Sequence, residues 1–350
     1  MSVPVMDIGT SQRAEPVLPF SAVETYLAPL RRLLAGMVTE VVVNQPGEAW
    51  TEGHGGWTRH EMPELTYDHL RMLAKLIATS TQQTISENAP VVSAALPSGE
   101  RVQAIVPPAV RPGTVSLTIR KPSLLRLTLD DYERNGAFEK VVTNGQGNIA
   151  VEEELLRLLR ADRIRDFLEL AVRSHQNIVI SGATGSGKTT IMKALVDLIP
   201  SHERLITIED TPELEILHQP NHVRLFYSKD GQGVSKATPK TLLESCLRMK
   251  PDRILLAELR SDEAFYFMRN VNSGHPGSIT SVHATSPQLA IEQLMLLVKE
   301  SAGGSQLARE DIKQLLFMLV DIVVQFSVVD GRRRVTGIYY EPQRKRTILG

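Results

Sequence analysis

Asn177-Ile178-Val179-Ile180-Ser181-Gly182-Ala183-Thr184-Gly185-Ser186-Gly187-Lys188-Thr189-Thr190 decides the reading of this chain. An apolar run stops at a glycine-rich loop, and the loop runs into Ile191-Met192-Lys193-Ala194-Leu195. That order predicts strand, loop and helix, and the loop fits G-x-x-x-x-G-K-[ST] at every fixed position. Gly182, Gly185 and Gly187 free the backbone for turns that a Cβ forbids. The N–H groups of residues 182–190 can then ring a phosphate at the positive end of the following helix. Lys188 adds a point charge for the outer phosphates, and the Thr189 hydroxyl is placed for Mg²⁺.

Three further stretches end apolar strands with polar chemistry, where ligands collect in parallel sheets. Arg204-Leu205-Ile206-Thr207-Ile208-Glu209-Asp210 delivers two carboxylates, one of which could orient or deprotonate an attacking water. Arg253-Ile254-Leu255-Leu256-Ala257-Glu258-Leu259-Arg260 ends in an acid suited to facing the metal, directly or through a bound water. Arg260 could hold that carboxylate or serve an interface. Gly274 to Ala284 carries His283 at a strand end, where it could sense a terminal phosphate or link the site to a neighbouring subunit. His275, before Pro276 in a glycine-bounded turn, reads as structural. Arg101 and Arg120 lie earlier in the chain. Charge on a transferring phosphoryl group calls for a cation beyond Lys188, and arginines from another module can supply it.

A length of 350 residues predicts two domains. A net charge of −1 gives no general attraction to nucleic acid. The basic clusters Arg332-Arg333-Arg334 and Arg344-Lys345-Arg346 read as solvated ends. Cys246 is the only cysteine, which excludes disulfides and cysteine-ligated zinc and suits a reducing cytoplasm. No signal peptide is visible at the N-terminus, and the apolar run from Leu315 to Val324 is too short for a membrane span.

Residues 1–18 read as a disordered tail. Residues 19–122 read as a small α+β domain. Ser21 to Glu24 offers a capping box, Pro29 predicts a kink or break in the first helix, and Thr66 offers a cap for the second. Val115, Leu117 and Ile119 alternate with Ser116, Thr118 and Arg120, so Arg120 should project from the polar face of a strand. Residues 123–160 read as a long linker, broken at Asn144-Gly145-Gln146-Gly147-Asn148 and ending in a charged amphipathic helix. From residue 161 to 350 strands and helices alternate, which predicts an α/β domain with a mostly parallel sheet covered on both faces.

With these motifs in hand, the chain resembles the secretion ATPase superfamily of type II and type IV secretion and type IV pili, and most of all the traffic ATPases of type IV secretion systems. The residues that carry the resemblance are Gly182–Thr190, Thr207–Asp210, Ile254–Arg260 and Gly274–Ala284, with Ile119–Pro122 and Thr39–Val41 in the first domain. The resemblance implies a RecA-like P-loop domain that hydrolyses ATP with Mg²⁺. Lys188 and Thr189 would bind phosphate and metal, Glu209 would be the catalytic carboxylate and Glu258 the second acid. His283 would be the histidine-box residue, and Arg120, with Arg101, would be brought over the nucleotide by the first domain. It also implies a homo-hexamer at the cytoplasmic face of the inner membrane. Its partners would be inner-membrane components of the machine and a secreted protein or protein–DNA substrate. A peripheral membrane contact is allowed, and no direct nucleic-acid binding is expected. The absence of four cysteines for a zinc insertion favours the type IV branch. Three other readings stay open on sequence alone: a nucleic-acid-stimulated P-loop motor, an assembly ATPase of a type II secretion or type IV pilus system, and a nucleotide-gated scaffold without turnover.

Overall fold

The computed structural model describes residues 20–122, 127–139, 141, 149–229 and 233–349. The expected tail and the Asn144–Asn148 breaker lie outside the described residues.

The first domain is one antiparallel sheet covered by two helices. Its elements are α1 (Phe20–Leu34), β1 (Glu40–Val43), β2 (Gly47–Gly53), β3 (Gly56–Met62), α2 (Tyr67–Ser80), β4 (Val91–Ala95), β5 (Arg101–Ile105) and β6 (Ser116–Arg120), and the sheet order is β3-β2-β1-β6-β5-β4. Val23, Leu27, Leu30 and Leu34 recur at helical spacing and are all buried, with Leu70, Leu73 and Ile77 of α2 beside them. Thr66 caps α2 by accepting from the His69 N–H at 3.2 Å. Pro29 does not end α1, which continues through it to Leu34. Ser21 falls inside α1, so it is not a cap, and Glu24 instead pairs with Arg31 at 2.6 Å.

The predicted polar face of β6 is not open to water along its length. Ser116 and Thr118 are buried, and Gln103, the register partner of Thr118, reaches Ser245 of the second domain. Only Arg120, at the strand's end, is exposed.

Among the described residues of the connection are α3 (Leu129–Arg134) and α4 (Ile149–Arg160). The latter departs from the expected linker, because Leu155 and Leu158 are buried in the core beside α5 (Ile164–Arg173). A charged helix with one leucine stripe is stable only where that stripe is covered.

The second domain then runs β7 (Ile178–Ser181), α6 (Lys188–Val196), β8 (Leu205–Glu209), β9 (His222–Phe226), α7 (Pro239–Cys246), β10 (Arg253–Leu256), α8 (Glu263–Asn272) and β11 (Ile279–Val282). It closes with α9 (Pro287–Glu300), α10 (Arg309–Leu319), β12 (Ile322–Val329), β13 (Arg332–Tyr340) and α11 (Pro342–Leu349). All ladders are parallel except that between β12 and β13. Ile178 and Ile180 join one core and Val179 the other, so both faces of the strand are apolar and covered.

The sheet is two hydrogen-bonded blocks rather than one ladder: β10-β8-β9 and β11-β7-β12-β13. Serine hydroxyls close the seam between β10 and β11, with Ser281 Oγ donating to Ala257 O at 2.8 Å and Ser278 Oγ to Ile254 O. These bonds set the carboxyl ends of β7, β8, β10 and β11 side by side.

The two domains share a polar and apolar contact. Ile105, Ala109 and Val110 join the second domain's core, and the Phe226 N–H donates to Ala109 O at 2.9 Å. The buried Arg204 guanidinium donates to Asn44 Oδ1 at 2.8 Å and to Met249 O at 3.0 Å, and it stacks on Trp57.

Candidate nucleotide site

The glycine-rich loop takes the backbone path that its sequence predicts. Gly187 caps α6 with φ +98° and Gly185 has φ +75°, values that favour glycine. A Cβ on Gly182 would overlap Phe326 O and lie 2.5 Å from Ser186 Oγ, so the close packing of the loop on β12 requires glycine there.

Lys188 is buried at the start of α6. Its ammonium donates to Gly182 O at 3.0 Å and Ala183 O at 3.2 Å and faces His283 Nδ1 at 3.2 Å. Burial lowers its pKa from the usual lysine value, Glu258 works the other way, and Arg260 adds to the lowering. His283 turns its other nitrogen, Nε2, to Glu258 Oε1. It therefore faces into the site, not outward toward a neighbour as a strand-end position alone allowed. Arg260 pairs with Glu258 and with Asp210, the latter at 3.1 Å. The arginine thus ties the ends of β8 and β10 together, which favours the holding role over the interface role.

Glu209, expected as the catalytic carboxylate, is enclosed by the protein in this structure. It is fully buried at the end of β8, and five donors meet its two oxygens. Thr207 Oγ1 donates at 2.7 Å, Arg224 Nε at 2.9 Å and Arg224 Nη2 at 3.0 Å, and the Glu213 and Leu214 N–H groups each at 2.8 Å. A carboxylate offers about four lone-pair sites. In this arrangement none remains for a water, and Glu209 anchors the loop that follows it. That loop carries Glu213 back to the phosphate loop, where Thr189 Oγ1 donates to Glu213 Oε2 at 2.9 Å. Neither Glu213 nor Arg224 was singled out from sequence. The acidic cluster Glu209-Asp210-Thr211-Pro212-Glu213 was the available signal for the first. For the second it was an arginine in the next strand, partnered in register with Thr207.

Arg101 and Arg120 are neighbours across β5 and β6, and Arg120 pairs with Glu40 at 3.5 Å. The same row continues through Glu52 to Lys250, 3.0 Å away, which precedes β10. Glu258 follows the other end of β10. The arginines therefore sit toward the amino ends of the parallel strands, and neither is hydrogen-bonded to residues 182–190 in its own chain. His275 Nδ1 lies 3.0 Å from Pro251 O, a structural turn contact.

The geometry fits a nucleoside triphosphate. The glycine-rich loop leads into the N-terminus of α6, Lys188 and Thr189 stand in its first turn, and the buried Ser186 Oγ has no hydrogen-bond partner. Residues 23–326 match the family described as Type II/IV secretion system protein. The chain belongs to that family. It is 49% identical over 322 residues to the type IV secretion system protein VirB11 of Bartonella henselae, covering 89% of this chain and 90% of the relative. It is 42% identical over 315 residues to the type IV secretion system protein PtlH of Bordetella pertussis, covering 87% and 90%. The crystal structure of the VirB11 ATPase from the Brucella suis type IV secretion system, in complex with sulphate, superimposes with a TM-score of 0.88 at 47% identity, over 93% of this chain and 99% of that one. The chain is a nucleotide-binding secretion ATPase of this family, with a RecA-like domain behind a smaller α+β domain. Among the described residues no helix is long and apolar enough to cross a membrane.

Proposed function

We propose that the protein is the hexameric ATP-driven motor of a type IV secretion machine, docked on the machine's inner-membrane components at the cytoplasmic face. It would turn ATP hydrolysis into transfer of a protein or protein–DNA substrate, or into pilus assembly. The observation that carries the enzymatic part is the chain of contacts from Lys188 through His283 to Glu258, which gathers the ends of β7, β11 and β10 around one loop.

In this reading Lys188 leaves the carbonyls of Gly182 and Ala183 for the outer phosphates of ATP, and the loop N–H groups hold the rest of the polyphosphate. Thr189 and, through a water, Glu258 would hold Mg²⁺, which would supply positive charge against the phosphates. Among the described residues no three His, Cys, Asp or Glu side chains form a metal cluster. Glu213, hydrogen-bonded to Thr189, would orient the attacking water, and Glu209 with Arg224 would hold Glu213 in place. His283 passes the state of the terminal phosphate between the loop and Glu258.

Two measurements test the reading. Purified protein should release phosphate from ATP, and Lys188→Ala should abolish release and weaken ATP binding, because contacts to the outer phosphates are lost. Wild-type turnover in that variant sinks the site assignment. Electron microscopy with a slowly hydrolysed ATP analogue should show six-membered rings, and a monodisperse monomer would sink the motor.

A further inference from the structure

The C-terminal hairpin lays one arginine against the phosphate loop. A Cβ built on Gly187 would lie 2.8 Å from Arg333 Cδ and 3.0 Å from Arg333 Nε, so the guanidinium stem covers the residue that caps α6. Phe326, on the neighbouring strand, makes the rest of that wall, 3.2 Å from the same point. The pleat explains the direction. Val335 packs into the core around β7 and α6, and Arg333, two residues away, shares its face of β13, whereas Arg332 and Arg334 take the other face. Among the described residues Arg333 has neither a hydrogen bond nor an ion pair, although carboxylates hold most of the cations around the site. An exposed arginine with five free donors beside the N-terminus of a helix is suited to an anion.

The sheet order says which part of the ligand it meets. With order β11-β7-β12-β13, the loop after β7 has His283 and Glu258 on one flank and Phe326 and Arg333 on the other. A polyphosphate whose terminal group lies at Lys188, His283 and Glu258 must lead its α-phosphate and ribose across the helix N-terminus toward the opposite flank. We propose that Arg333 is a nucleotide-binding residue of its own subunit, taking the α-phosphate side of the bound nucleotide. This rests on residues 182–190 being the nucleotide loop. ADP and ATP carry the same α-phosphate, so Arg333 should tighten both alike and should not distinguish the bases.

The test is calorimetric titration of the full chain with Mg²⁺-ADP and Mg²⁺-GDP. Arg333→Ala and Arg333→Gln should each weaken ADP about tenfold, the loss expected for one charge-assisted contact to phosphate. Arg333→Lys should recover part of it, the ADP-to-GDP ratio should stay constant, and Arg332→Ala and Arg334→Ala should bind as wild type. The KM for ATP should rise in step with the ADP Kd. ADP binding within twofold of wild type in both Arg333 variants overturns the proposal. So does a selective loss of ADP over GDP, which would place Arg333 on the base. Wild-type ADP affinity in Lys188→Ala would instead overturn the reading of the loop itself, whatever the Arg333 variants do.

Discussion

Lys188 Nζ stands 3.2 Å from His283 Nδ1 while His283 Nε2 faces Glu258. An ammonium can only donate, so Nδ1 is its acceptor, and the other ring nitrogen is turned to the carboxylate. One imidazole ring therefore joins the phosphate-loop lysine to an acid two strands away. The ring can report on both, since any shift of Lys188 toward a phosphate removes the donor that holds Nδ1.

His283→Ala should cut ATP turnover by about tenfold or more while changing ADP affinity only a few-fold, because the loop N–H groups remain in place. The contact with Lys188 makes basal hydrolysis, and not only transport, sensitive to this residue. Steady-state kinetics beside ADP titration separates the two effects. Wild-type turnover with impaired transport would return His283 to a role at a subunit contact.

Glu209 and Glu213 should part company on substitution. Glu209→Gln leaves the Arg224 guanidinium buried and uncompensated, a loss of about 3 kcal/mol for a broken buried pair, so the melting temperature should fall. Glu213→Gln touches only an exposed rim and should melt as wild type while losing turnover about 10²-fold. Thermal melts and single-turnover assays on both variants decide. If Glu209→Gln melts normally and loses only turnover, Glu209 swings free during the cycle and is itself the base.

The phosphate loop, the alternating strands and the acids at the strand ends were legible because each is a local pattern: glycine at fixed spacing, or an apolar run ending in charge. What the acids do was not, because it depends on partners far away in sequence. Glu209 is an anchor only because Arg224 lies in the next strand and the chain folds back at Glu213. Arg333 lay within a basic run that reads as a solvated end, and only the hairpin register sends one of three arginines toward Gly187. The seam between β10 and β11 was equally hidden, since serine hydroxyls and one backbone bond, Leu259 N–H to Ser281 O, stand there in place of a ladder without leaving a periodic signal. The helix α4 was read as connection for the same reason: its leucine stripe is visible, but not the surface that covers it.

Glu40 gives the first domain a pH-dependent stability. Burial pushes its carboxyl from 4.5 up to about 7, against the pull of Arg120. The folded state therefore holds the proton more tightly than the unfolded chain. The stability this contributes is fully present below pH 4.5 and is lost as pH rises through about 7. Glu40→Gln keeps the shape without the ionisation. The stability of wild type minus that of the variant, from urea melts, should fall between pH 5 and pH 8. A difference that stays flat over that range would show Glu40 ionised in the fold.

Arg120 is expected to serve a nucleotide of another subunit and not that of its own chain. Its row on the first-domain sheet runs through Glu40 and Glu52 to Lys250, before β10, while the phosphate loop lies beyond the carboxyl end of β7. Shared core residues and the buried Arg204 contacts hold the two domains in that relation. The guanidinium is well exposed and tied only to Glu40, at 3.5 Å, so it is free to meet a neighbour's phosphates in a ring. Lys188→Ala and Arg120→Ala proteins should each be inactive alone, the first for want of a phosphate lysine and the second for want of the arginine that offsets transition-state charge. Mixed rings would pair an intact loop from one chain with an intact arginine from the next, and ATPase activity should return on mixing. Mixed assembly must be confirmed separately, by pulling down one tagged variant and finding the other with it. If co-assembly is seen and the mixing curve stays flat, Arg120 does not act across subunits. Full activity of Arg120→Ala alone would remove it from the site altogether.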